Sequence, residues 1–509
     1  MRLQLGFCLV AGLATASVFG QGQIVPGGLD KDKAIASAGT NVVLKIGLVD
    51  CIAWTLKRNP DVAIRRLDPL IRGKDVEAAK GAFHPALSAE ATVSANSLAI
   101  PLPGGGETNT VTDTTDLKAG ISGRLTPGTR YTVEMVGQEV DKSPASLPLN
   151  PAFTVAPRIT VTQPLFRGAG TTVNRAEIVI AARRQEMSRQ DVVKSIVDAI
   201  SRTQVGYYVF CYSRDIHALA SAALTRAEDL LKINRERYAK GLISSVDLLE
   251  TEAAVAQRQK ALIASESAVE KASDALKLLV NLVEDPVCWN ARIEPLDRPG
   301  IEVRSVELSL CLANAFRNRP DYQAKRMEMD LRDIQLDVAR NAAYPAVDLV
   351  GSYGLNGMGA DSADALSRIS ADQEGWMAGV RVSIPWGSPD SARRDQKEME
   401  KEQALMELKR LEQNIVLEVR DRVREVDIQR RQVEAARLAF EKESENYRAQ
   451  KERYRGGQVS THDLIEYQER LAGAEADHLK AITDYQTALV NVDQAEGATL
   501  SRHNIVLEE

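Results

Sequence analysis

The chain has 509 residues, a net charge of −6 and only 5% aromatic residues. A weakly acidic chain lacks the basic footprint of a nucleic-acid binder, so no nucleic-acid partner is expected. With five histidines, no phosphate loop, no metal-ligand spacing and no nucleophile set beside a base, it reads neither as an enzyme nor as a cofactor protein.

At the N-terminus Arg2 precedes an apolar run from Leu3 to Phe19, followed by Gly20-Gln21-Gly22. A basic start, an apolar centre and a small residue before the cut predict a secretory signal over 1–20. Cleavage is placed after Gly20, with Ala16 as the alternative. The run is short for a spanning helix, and no later segment holds about 20 uninterrupted apolar residues, so no transmembrane helix is expected. Residues 21–43 then read as an N-terminal extension.

A first structural unit is expected over 44–285. Its leading helix covers 47–81, with a break at Pro60, since proline is tolerated in a first turn but not in a helix interior. The period then switches to two: Leu87, Ala89, Ala91, Val93 and Ala95 alternate with Ser88, Glu90, Thr92, Ser94 and Asn96. Such alternation suits a half-buried strand in a soluble sheet and equally a barrel strand with lipid outside and water inside. Strands are placed within 86–166. Residues 98–150 form an insertion with a glycine-rich loop at 104–106 and a hairpin around Thr126-Pro127-Gly128-Thr129. The strand set closes on the corner QPLFRGAG (163–170).

Long helices follow over 172–283. From Thr172 to Tyr238 no proline intervenes, giving a rod about 100 Å long at 1.5 Å per residue. A linker is expected at 286–304. The second unit, 305–500, repeats the order: a helix over 305–341 broken at Pro320, strands within 346–386, a polar loop at 356–375, the corner IPWGSPD (384–390) and helices over 390–498. Residues 501–509 are a tail. In this copy Trp376, Ala378, Val380, Val382 and Ile384 form the apolar alternation. Leu408, Leu411, Ile415, Val419, Val423 and Val426 make one apolar stripe for packing along other rods.

The two units match in register. RNPDVAIRR (58–66) aligns with NRPDYQAKR (318–326) at an offset of 260, and the offset persists from GAFHPA (81–86) to NAAYPA (341–346). RERYAKGLISSVDLLE (235–250) aligns with KERYRGGQVSTHDLIE (451–466) at an offset of 216, pairing Tyr238 with Tyr454, Gly241 with Gly457 and Asp247 with Asp463. Tandem duplication constrains architecture more than any single motif. At each tip a glycine suits the left-handed residue that ends a helix. Ser244 and Ser460 suit the next N-cap, with Asp247 and Asp463 in the first turn. Ser-x-x-Asp is also an ordinary capping box, and Glu250 and Glu466 would usually be solvated charges. Recurrence of the whole set on two hairpins favours function. Cys51 and Cys311 occupy equivalent apolar helix faces and read, with Cys211 and Cys288, as buried free thiols; an oxidising compartment permits a disulfide, which the sequence does not assign.

This combination of leader, duplicated NPD/RPD and Ala-Pro segments, QPLFRG corner and paired RY-x-x-G-x-x-S-x-x-D tips resembles the TolC-like family of outer-membrane efflux and secretion channels, over about residues 44–500. The resemblance implies a mainly α fold with β-barrel strands. In it a homotrimer forms a shared twelve-stranded barrel in outer-membrane lipid, four strands per chain, above a long α-helical periplasmic tunnel. A periplasmic adaptor and an inner-membrane transporter of the RND or ABC type are the implied partners. Asp247, Glu250, Asp463 and Glu466 match acidic ring positions of the family, and Tyr454 matches a latch tyrosine. Some members carry an arginine two positions after the glycine; here it is Val459, so a tip held by apolar packing and hydrogen bonds is expected instead. The 98–150 insertion is read as a larger extracellular loop, the alternative being added strands. A secreted structural coiled coil is the competing reading; it predicts neither strand blocks nor matched hairpins.

Overall fold

The computed structural model describes residues 35–36, 43–101, 107–143, 148–298, 300, 304–384 and 389–507. The leader (1–20), most of the extension, the glycine loop at 104–106 and most of the second corner (385–388) lie outside the described residues.

Two short strands come first, β1 (Ile35–Ala36) and β2 (Val43–Ile46). Helix α1 (Leu48–Arg58) follows, and α2 (Pro60–Gly81) starts at the predicted proline. The side chain of Asn59 accepts from Asp61 N at 2.9 Å, so Asn59 is the cap and Pro60 fills a position that needs no donor. Four strands follow: β3 (Ala86–Pro101), β4 (Glu107–Arg124), β5 (Arg130–Ser143) and β6 (Ala152–Pro164). A turn, α3 (Thr171–Asn174), leads into the 64-residue α4 (Ala176–Ala239). Helix α5 (Ser245–Leu279) returns, then come α6 (Pro286–Asn290) and β7 (Arg292–Pro295).

The second copy runs α7 (Leu308–Asn318), α8 (Pro320–Ala342), β8 (Ala346–Leu355), β9 (Gly357–Gly359) and α9 (Ser362–Ser367). It continues through β10 (Glu374–Ser383), the 67-residue α10 (Pro389–Arg455), α11 (Thr461–Ala495) and the short α12 (Thr499–Arg502). No described helix is long and apolar enough to cross a membrane.

At 1.5 Å per residue α4 is about 95 Å long. The returning helix α5 covers only its lower half, and α2 covers the rest. The two meet end to end: Asn59 Nδ2 donates to the carbonyl of Leu279 at 2.9 Å, and Asn281 Nδ2 to that of Arg58 at 3.0 Å. Carbonyls that end one helix are thus satisfied by the residue that starts the next. The second copy makes the same joint with a different residue. Arg319 reaches Ala495 O at 3.2 Å and also holds Asp321 (2.8 Å) and Glu418 (2.7 Å).

At mid-height the antiparallel β1–β2 pair adds β7 alongside β2 in parallel. The expected linker therefore carries a short helix and a strand. The core beside it includes Cys51, Tyr207, Phe210, Cys211 and Leu276, and a second core lines α10 and α11 through Ile415, Val419, Val426 and Tyr485. Cys51, Cys211 and Cys311 are free thiols.

The strands form one antiparallel sheet in the order β3-β4-β5-β6-β8-β10, with β9 pairing β6. This corrects two expectations. Residues 107–124 and 130–143 of the insertion are paired strands, not loop, and the chain brings six long strands to the sheet instead of four. The predicted turn is the reason. Gly128 adopts φ 100°, and a side chain there would lie 2.4 Å from Gly168 O. Gly170 N donates to Pro127 O at 3.1 Å. The 125–129 turn is therefore seated on the corner between β6 and α3, at the helical end of the sheet, and the two strands it joins run the sheet's full length.

Candidate functional site

Far from the sheet, α4–α5 and α10–α11 turn back at the two predicted glycines. Gly241 has φ 72° and Gly457 φ 74°. No atom would crowd an added side chain at either, so glycine serves the backbone conformation alone. Gly241 N donates to Tyr238 O (2.9 Å) and Gly457 N to Tyr454 O (3.0 Å), closing each helix. Ser244 Oγ then accepts from Asp247 N and Ser460 Oγ from Asp463 N, each at 3.1 Å. Both serine hydroxyls donate back to the same aspartates at 2.7 Å. Both serines are the N-caps, and Asp247 completes a capping box by accepting from Ser244 N at 3.0 Å. The bonds from Ser244 to its carboxylate hold the Asp247 pKa below the usual value.

The two hairpins are joined by a buried polar knot. Tyr454 is 3% exposed; its hydroxyl bonds the side-chain oxygen of Asn234 and lies 3.3 Å from Thr461 Oγ1. Asn234 Nδ2 donates to Thr251 Oγ1 at 2.8 Å. Asn234 and Thr251 come from the first hairpin, Tyr454 and Thr461 from the second. Apolar packing surrounds them through Leu230, Tyr447, Leu464 and Leu471, with Val459 against the cluster. Arg237 covers the knot: its guanidinium lies 4.5 Å from the Tyr454 ring centre and donates to the carbonyls of Tyr454 and Arg455. The tip thus has apolar packing, hydrogen bonds and an arginine on Tyr454 as well, supplied by the other hairpin. Asn234 and Arg237 were not legible as site residues, because their partner lies more than 200 positions away.

Tyr238, the repeat partner of Tyr454, is 46% exposed and lies outside the knot. Glu250 meets His462 Nδ1 at 2.5 Å across the hairpins, and this carboxylate raises the His462 pKa. Glu466 pairs with Arg470 on its own helix at 2.6 Å. Every acidic residue singled out at the tips is therefore engaged within the chain. Among the described residues no cluster of three or more His, Cys, Asp or Glu could hold a metal.

A rod with a sheet at one end and two knotted hairpins at the other is a known architecture. The model of the outer membrane efflux protein family matches residues 152–282 and 311–498, more than half of the chain. The chain belongs to the outer membrane efflux protein family. It is an outer-membrane channel with a periplasmic extension, in a family of conduits that form trimers. The Campylobacter jejuni outer-membrane channel CmeC has the same fold, with TM-score 0.65 and 16% identity over 89% of this chain and 86% of that one. The open state of Neisseria gonorrhoeae MtrE gives TM-score 0.62 and 18% identity over 89% of each chain. A curated relative, the fusaric acid resistance protein FusA of Burkholderia cepacia, is 26% identical over 167 residues. That match spans 33% of this chain and only 30% of the relative.

Proposed function

We propose that three copies form a passive exit duct, opened at the hairpin tips and joined to an inner-membrane transporter of the RND or ABC type through a periplasmic adaptor. The observation that carries this reading is the knot between the hairpins at the far end of two rods, each on the order of 100 Å long. A tip held by one small apolar cluster, a few hydrogen bonds and one stacked arginine is a small, reversible closure. Threefold symmetry would bring Asp247, Glu250, Asp463 and Glu466 of each copy around one axis. Rings of carboxylates favour cations and repel one another, so the entrance is cation-selective and its closure electrostatically balanced. The relative named for fusaric acid resistance supports small-molecule efflux over polypeptide secretion.

The test is conductance in planar bilayers. The wild type should give small, cation-selective currents, and Asp463→Ala with Glu466→Ala should raise conductance and weaken selectivity. Unchanged currents in that double variant would remove the acidic entrance from the account.

A further inference from the structure

The β4–β5 hairpin lies between β3 and β6, strands that already run in opposite directions. Without it those two could pair directly, giving the four-strand unit β3-β6-β8-β10. The hairpin is thus an addition within the sheet itself. Its faces tell what covers it.

One row of directly paired residues crosses all six strands as Leu87, Ile121, Val133, Ile159, Tyr353 and Trp376. Every member is apolar or aromatic, and every one is exposed, from 82% at Leu87 to 44% at Tyr353. The next row, on the opposite face, reads Ser88, Gly120, Glu134, Arg158, Gly354 and Gly375. An unbroken apolar band on one face, with only polar residues and glycines on the other, fits a wall between lipid and water. The inserted strands carry both faces in step with their neighbours. Each of the six strands also has at least ten residues, the length a tilted strand needs to cross a bilayer.

The row starts one residue into β3 and meets β10 near its far end. Such a climb across the sheet is the stagger that barrel closure requires. Among the described residues the outer strands have no partner on their free edges, and β10 is exposed along its whole length. Open edges are not tolerated in lipid. Strand β3 leads away from the helices and β10 leads back to them, so β3 of one copy meets β10 of the next in antiparallel sense.

We infer that the inserted hairpin is part of the transmembrane wall, so that each chain contributes six strands and three chains close a barrel of eighteen. This rests on the trimeric reading above; the strand count per chain does not. Barrel diameter grows about linearly with strand number. The exit is therefore roughly half again as wide as a twelve-stranded one, lined on β4 and β5 by Lys118, Thr132 and Glu134, and the narrow point lies at the hairpin tips.

Electron cryo-microscopy of the full-length protein in lipid nanodiscs reads symmetry and strands separately. The expected map has threefold symmetry and eighteen wall strands, with 107–124 and 130–143 among them. A threefold map with twelve wall strands and this hairpin outside them overturns the inference and leaves the trimer intact. Another symmetry with six wall strands per chain keeps the hairpin assignment and removes the trimer. A paired substitution gives a second reading: Val133→Arg, facing lipid, should cut membrane-assembled protein several-fold, while Thr132→Arg, facing water, should not. Equal recovery of both variants contradicts the assignment.

Discussion

The two hairpin tips descend from one repeated phrase, yet they finish differently. The second buries its tyrosine, Tyr454, in the polar knot, while the first leaves Tyr238 exposed and contributes Asn234, Thr251 and Arg237 as the cradle. The first tip also leaves Leu242, Val246 and Leu249 exposed. Duplication supplied two equal scaffolds, and the halves then divided the work: one provides the plug, the other the socket and an apolar outer surface. The joints above diverge likewise, Asn59 in the first copy and Arg319 in the second.

The largest expected effect separates the joints. The Arg319 side chain is only 13% exposed and pairs with Asp321 and Glu418. Burial raises the Asp321 pKa, but the bonds from Arg319 outweigh it and hold the pKa below normal. Arg319→Ala strands that carboxylate and should destabilise the second copy by on the order of 3 kcal/mol. Asn59→Ala removes neutral bonds and a cap and should cost about 1 kcal/mol. Denaturant unfolding of the purified protein compares the two; equal losses would mean that the joints do not differ.

Next come the tyrosines. Tyr454→Phe leaves Asn234 Oδ1 buried without the hydroxyl and should weaken the knot by about 1–3 kcal/mol. Tyr238→Phe should change nothing measurable. Hydrogen exchange across 230–255 and 445–470 should rise in the first variant only, and matched exchange in both would dissolve the distinction between plug and socket.

The clasp between His462 and Glu250 is smaller and pH-dependent. The raised His462 pKa means that the charged pair is complete below the ordinary histidine range and is lost as pH rises through the raised value. Asp463 and Glu466 act in the same direction. Single-channel opening should become more frequent between about pH 6 and about pH 8, and His462→Gln should flatten that rise. A wild type indifferent to pH over this range would remove the clasp from the gate. Smallest of all, Leu249→Ser should leave folding unchanged, because the side chain is already in solvent.

Much of this was legible in the chain. Pro60 and Pro320 marked where the leading helices restart, Gly241 and Gly457 where the long ones stop, and Ser244 and Ser460 capped as their spacing implies. The alternation in 86–95 and 376–384 identified strands but left soluble sheet and lipid wall equally open, since both need one apolar face. The strands at 107–143 were obscured because threonines fill β4, and the apolar residues Leu117, Ala119 and Ile121 make only a short alternating run. Asn234 gave no signal, as an asparagine inside a charged helix has no periodicity to betray its burial. The end-to-end joints were equally silent, because each depends on a residue more than 170 positions away.

The most direct test is the view down the long axis of the detergent-extracted particle by electron cryo-microscopy. Three chains around one continuous passage, narrowed only where six hairpins converge, is the predicted result. A single-chain particle, or rods packed around no central hole, would contradict the account.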